Sequence, residues 1–114
     1  MKNLATFTLL GRIARVSELT NVTKVTIASN YRRKTKEGTW EDDPHFNEVT
    51  VFDEGTRRYL SRHCAKGDLV HVEGRLRQNK FERDGQRIYT VDLIASDFGK
   101  LACKAETTEE DGGR

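Results

Sequence analysis

A single all-β domain, a small five-stranded barrel with one short helix, is the fold class that this chain of 114 residues predicts. Three observations carry it. Apolar residues recur at every second position along most of the chain, which is the spacing of strands buried on one side. One stretch, "DEGTRRYLSRHCA", abandons that period for a helical one. Finally, 35% hydrophobic against 33% charged residues suits a modest core under a heavily charged surface, in a chain too short for two domains.

The first strand is expected over about residues 3–16, where Ala5, Phe7, Leu9 and Ile13 share a parity. Gly11 interrupts that row, as a bulge or a close backbone approach does. In "TKVTIASNYRRK" the residues Thr23, Val25, Ile27 and Ser29 form one face of a second strand. The following "TKEGTWEDDP", rich in charges and turn formers, reads as an exposed loop. After Pro44 a third strand puts Asn47, Val49 and Val51 on one side and Phe46, Glu48, Thr50 and Phe52 on the other.

The helix comes next, with Thr56, Leu60 and Cys64 at i, i+4, i+8 and a glycine stop near Lys66 and Gly67. From Asp68 the period of two returns: Val70, Val72, Gly74 and Leu76 are assigned to the interior, His71, Glu73, Arg75, Arg77, Asn79 and Phe81 to the exterior. Asp84-Gly85 is a hairpin signal. On the return strand Tyr89, Val91, Leu93 and Ala95 take the inner parity and Ile88, Thr90, Asp92 and Ile94 the outer one. Five strands with a helix between the third and fourth is the order of the oligonucleotide/oligosaccharide-binding (OB) barrel, whose strand face and loops hold single-stranded nucleic acid.

Charge agrees with a polyanionic partner. The net charge is +2, yet the last ten residues, "AETTEEDGGR", hold four acids and one base, so the remainder carries +5. Residues 1–101 are taken as the barrel domain and 102–114 as a short acidic tail expected to be disordered. Cys64 and Cys103 read as two reduced thiols of a cytoplasmic protein. With His63 and His71 they lack metal-ligand spacing, so no zinc is expected. Glu41, Asp42 and Asp43 are neighbours in one segment, unlike the converging carboxylates of a metal-dependent nuclease. Neither a metal nor a cofactor is implied. The amino-terminal "MKNLATFTLLGRIARV" shows no export signal or membrane span.

A binder of single strands that ignores sequence needs cations along the phosphates and exposed rings under the bases. Tyr31 beside Arg32, Arg33 and Lys34 offers that pairing, as do Phe46 with Phe52, and Arg75, Arg77, Lys80 and Phe81 on the last hairpin. Phe52 fits either a stacking position or the core at a strand end. Phe46 fits stacking or packing against a loop or neighbouring subunit. Trp40 fits a contact with nucleic acid or one with the barrel itself. Arg57, Arg58 and Arg62 read as a solvated helix face.

"LLGRIARV", "FNEVTVF", "KGDLVHVEGRLR" and "DGQRIYTVDLIA" together resemble the bacterial single-stranded-DNA-binding proteins of the replication type, over about residues 1–101. The resemblance implies tight, sequence-nonspecific binding of single-stranded DNA in replication, recombination or repair, a homotetramer or else a homodimer, and no catalysis, metal or cofactor. Phe46 stands where that family usually has tryptophan, Phe52 matches its phenylalanine six positions on, and Phe81 and Tyr31 fall at or near two further tryptophans. Lys66 and Lys80 match its basic positions.

Three departures stand out. Smaller rings replace tryptophan, which implies weaker stacking per base. Asn47 replaces a histidine at the subunit contact. The acidic tail is short and lacks the proline and phenylalanine that recruit replication and repair proteins. The expected contact set is Tyr31, Arg32, Lys34, Trp40, Phe46, Phe52, Lys66, Arg75, Arg77, Lys80 and Phe81. The rival reading is an OB-fold adaptor of a primosome or recombination complex, acting by protein contacts and binding DNA weakly; an RNA-binding barrel is a second rival.

Overall fold

The computed structural model describes residues 3–103. Its elements are β1 (Thr6–Glu18), β2 (Thr23–Lys34), β3 (Trp40–Val51), α1 (Glu54–His63), β4 (Leu69–Arg83) and β5 (Gln86–Ala102). The strands close into a barrel in the order β1-β2-β3-β5-β4, with the β3–β5 pair parallel and every other pair antiparallel. This is the predicted five-stranded OB barrel with its helix between β3 and β4. The expected tail lies outside the described residues from position 104 onward.

The two-residue period explains the core. Ile13, Val25, Ile27, Val49, Val51, Val70, Val72 and Phe98 point inward, and Leu60 of α1 closes the barrel end. Two inward positions are glycines because the walls come too close for a side chain. A Cβ at Gly11 would lie 2.9 Å from the carbonyl carbon of Ala28, and one at Gly74 would strike the Ile94 carbonyl oxygen and come within 2.7 Å of Phe7 Cε1.

The helix starts at Asp53, whose carboxylate accepts from the Thr56 amide and hydroxyl, both at 2.9 Å. Those bonds hold the Asp53 carboxyl below the usual carboxylate range. Arg57 fastens the helix to the β1–β2 turn by donating to the carbonyls of Leu19 and Thr20. The helix ends at His63, before the predicted stop, while Gly67 at φ +96° makes the turn into β4 and donates to the Ile13 carbonyl. Asp84 and Gly85 both have positive φ, 53° and 78°, the type I′ signature that the Asp-Gly pair announced.

Several expectations are corrected. Residues 40–44 are not a loop: they pair with Asn30 to Lys34 as the first part of β3. Leu76, assigned to the core, is 38% exposed, and Tyr89 and Val91 are 55% and 58% exposed. Ile94, assigned to the outer parity, is 5% exposed. Leu76, Tyr89 and Val91 are exposed because both long hairpins outrun the barrel, whereas Ile94, opposite Arg75, keeps the outer parity and is buried outside the main core cluster. The β1–β2 pairing stops at Arg12↔Ala28 and the β3–β5 pairing includes only Val49↔Leu93 and Thr50↔Ile94. Beyond those points the β2–β3 and β4–β5 ribbons project as two arms from the end of the barrel where β1 begins, because Thr6 lies opposite Arg75.

β5 also carries a bulge. Glu73 faces Asp97 and Gly74 faces Ala95, so Ser96 is an extra residue in β5, its hydroxyl donating to the Glu73 carbonyl at 3.2 Å. The bulge inverts the parity, which is how both Ala95 and Phe98 reach the core.

Candidate nucleic-acid interface

Strand parity sorts the expected contact residues by face. Directly opposed antiparallel residues share a side, so the core pair Val25↔Val49 fixes the odd positions of the β2–β3 arm as the barrel side. Phe46 opposite Ala28, Arg32 opposite Asp42, and Lys34 opposite Trp40 therefore lie on the outer face. Trp40 and Phe46 are each 60% exposed, and Phe52, just past the end of β3, is exposed as well. Their spacing of six residues corresponds to about 20 Å along the strand. Between them Glu48 is neutralised by Lys24 at 3.7 Å.

Tyr31 is on the other face. It stands opposite Asp43, its ring meets that of His45 edge-on with centroids 5.2 Å apart, and His45 in turn bonds Asp43 at 3.0 Å. Where β1 and β2 part, Tyr31 borders a cavity of about 340 Å³ lined also by Thr8, Leu9, Leu10, Ser29 and Asn30. The structure thus brings Arg32, Lys34, Trp40 and Phe46 together and sets Tyr31 behind them.

The β4–β5 arm divides likewise. Arg75, Arg77, Asn79 and Phe81 line its outer face. Arg77 pairs with Asp92 at 3.2 Å, and Asn79 donates to the same oxygen at 2.7 Å, so that cation is already engaged. The Arg83 guanidinium sits 5.8 Å from the centre of the Phe81 ring, a cation–π contact on a ring proposed for stacking. Lys80, opposite Tyr89, faces the barrel side of the arm, away from Phe81. Lys66 is exposed in the α1–β4 connection, at the far end of the barrel from both arms, and is not brought together with the rest.

Among the described residues Arg32, Lys34, Lys66, Arg75 and Lys80 form no ion pair, whereas Arg33 pairs with Glu41 at 2.6 Å. No group of three or more His, Cys, Asp or Glu among the described residues is placed to hold a metal ion. Burial pushes the Cys64 thiol up, the condition of an unreactive thiol. Tyr89, which the sequence pattern assigned to the interior, is an exposed ring beside Lys80. Counting outward from Asp84-Gly85 gives that pairing, since the turn places Lys80 and Tyr89 side by side across the ribbon.

The sequence model described as the Single-strand binding protein family matches residues 4–101. Single-stranded DNA-binding protein 2 of Streptococcus agalactiae is 32% identical over 104 residues, which cover 86% of this chain and 77% of that protein. The single-stranded DNA-binding protein of Aquifex aeolicus is 37% identical over 76 residues, 67% of this chain and 51% of that one. Among solved structures, a mitochondrial single-stranded DNA binding protein from S. cerevisiae superposes with a TM-score of 0.69 at 28% identity, covering 89% of this chain and 98% of the other. The Plasmodium falciparum protein solved in complex with single-stranded DNA shares the fold, with a TM-score of 0.72 at 21% identity over 89% of this chain and 97% of its own.

Proposed function

This chain belongs to the Single-strand binding protein family, and from that membership and the arms just described we propose how it works. It binds single-stranded DNA without reading sequence. Trp40 and Phe46 on the outer face of β3, with the exposed Phe52 just past its end and the unpaired cations Arg32 and Lys34 alongside, are the observation that carries this reading. Each ring stacks a base for about 1 to 3 kcal/mol, and each cation adds attraction that salt removes. Tyr31, Lys66, Arg75, Arg77, Lys80 and Phe81 complete the proposed contact set. There Arg77 is shared with Asp92, and Phe81 with the Arg83 guanidinium.

The chemistry is binding alone, without catalysis, in cytoplasmic DNA replication, recombination or repair. No helix among the described residues is long and apolar enough to cross a membrane. The chain works as a homotetramer, or else a homodimer. Supporting that, Leu10 stands exposed on the outside of β1 opposite His71, an apolar group on a sheet face that a second copy would cover. Light scattering that returned a monomer would remove the assembly.

Fluorescently labelled oligo-dT, oligo-rU and duplex DNA, titrated at two salt concentrations, test the function. Single strands should be preferred over duplex at both salts, because stacking persists when counterion release is suppressed. Equal affinity for duplex would rule out the stacking mechanism, and weak binding that vanishes in modest salt would point instead to a protein-contact adaptor.

A further inference from the structure

The barrel-side face of the β4–β5 arm continues the parity of the core into solvent. Leu76 is opposite Leu93, Gln78 opposite Val91, Lys80 opposite Tyr89, and Glu82 opposite Arg87. Past Leu93 no strand among the described residues covers this face, and Tyr89 and Val91 are each more than half exposed. Tyr89 borders a cavity of about 380 Å³ whose other walls are Gln78, Asn79 and Lys80. On this face the two cations, Lys80 and Arg87, form no ion pair among the described residues, whereas Arg77 across the ribbon is held by Asp92.

We propose that Tyr89 is a base-stacking residue and Lys80 its phosphate contact, so that the β4–β5 arm binds single-stranded DNA on both faces. The ring supplies a sequence-tolerant platform, and Gln78, on the same face, provides an amide group at its margin. Lys80 is free to follow a phosphate at no cost in broken ion pairs, unlike Arg77 on the outer face. A subunit contact is the competing occupant, but lysine is depleted in the cores of such interfaces and here sits directly beside the ring.

The inference rests on the single-strand-binding reading, and the test separates the two. Dissociation constants for labelled oligo-dT are measured at two salt concentrations for the full chain and for Tyr89→Ala, Tyr89→Phe, Lys80→Gln and Phe46→Ala, with light scattering on each. Tyr89→Ala should weaken binding about tenfold, Tyr89→Phe should stay near the unmodified protein, and Lys80→Gln should make the salt dependence shallower by about 0.7 in logarithmic slope. The mass of the assembly should not change. Unaltered affinity in Tyr89→Ala, with Phe46→Ala weakened, overturns this inference and leaves the family-level function standing. A smaller assembly in Tyr89→Ala overturns it in favour of a subunit contact. An unmodified protein that shows no preference for single strands over duplex overturns both.

Discussion

The beginning and end of β2 make an instructive pair. Thr23 to Ile27 and Asn30 to Lys34 pair continuously with the same partner strand, yet the first stretch includes three fully buried side chains and the second is exposed throughout. What differs is the presence of an opposite wall. Inside the barrel the odd face of β2 meets β1 and the far strands, so an apolar residue there leaves water. In the arm both faces are wet and the ribbon is held by its ladder, its turn and cross-strand charge pairs such as Arg33 with Glu41. Arm cations therefore fall into two groups, those spent on the ribbon and those free for a ligand. A count of arginines and lysines does not distinguish them.

The sharpest way to break this comparison is to remove matched side chains from the two halves. Ile27→Ala should cost about 2 to 5 kcal/mol by denaturant unfolding, whereas Tyr31→Ala, four residues on along the same face, should cost under about 0.5 kcal/mol. Comparable losses would mean that the arm folds onto something after all. Phe46→Ala should leave the unfolding midpoint alone while weakening oligo-dT binding by about 1 to 3 kcal/mol, a dissociation of stability from affinity expected only of arm and outer-face residues. The smallest effect tests the two kinds of cation. Asp92→Asn keeps an acceptor for Asn79 but releases Arg77, so the salt dependence of binding should steepen by about 0.7 in logarithmic slope, with under about 1 kcal/mol lost in stability. An unchanged slope would show that Arg77 lies off the path of the strand.

The barrel was legible in the sequence because burial on one side imposes a period that single residues reveal. The row Val25, Ile27, the row Val70, Val72, and the turn at Asp84-Gly85 each follow from local rules. Residues 40–44 escaped notice for the converse reason. A ribbon wetted on both faces needs no apolar alternation, and Pro44 is tolerated at such an edge. Tyr89 and Val91 were drawn into the core by a parity that is correct and a wall that is missing. Phe98 reaches the core only through an extra residue whose position no local pattern announces. For the interface, residue types and the element bearing each were readable. Faces and ion pairs were not, since Arg77 and Lys80 differ only by which side of a ribbon they occupy and by the reach of Asp92.

Ser96 also separates two systems of address within one strand. Beyond it toward the turn, β5 is indexed from Asp84-Gly85; before the chain's end it is indexed from the barrel through Phe98. Adding or deleting matched residue pairs beside the turn would change how far the arm reaches while every barrel residue kept its place. The reach of the arm, and with it the length of DNA in the proposed contact, is thereby uncoupled from the packing that keeps the chain folded, and a lineage can adjust the first without re-solving the second.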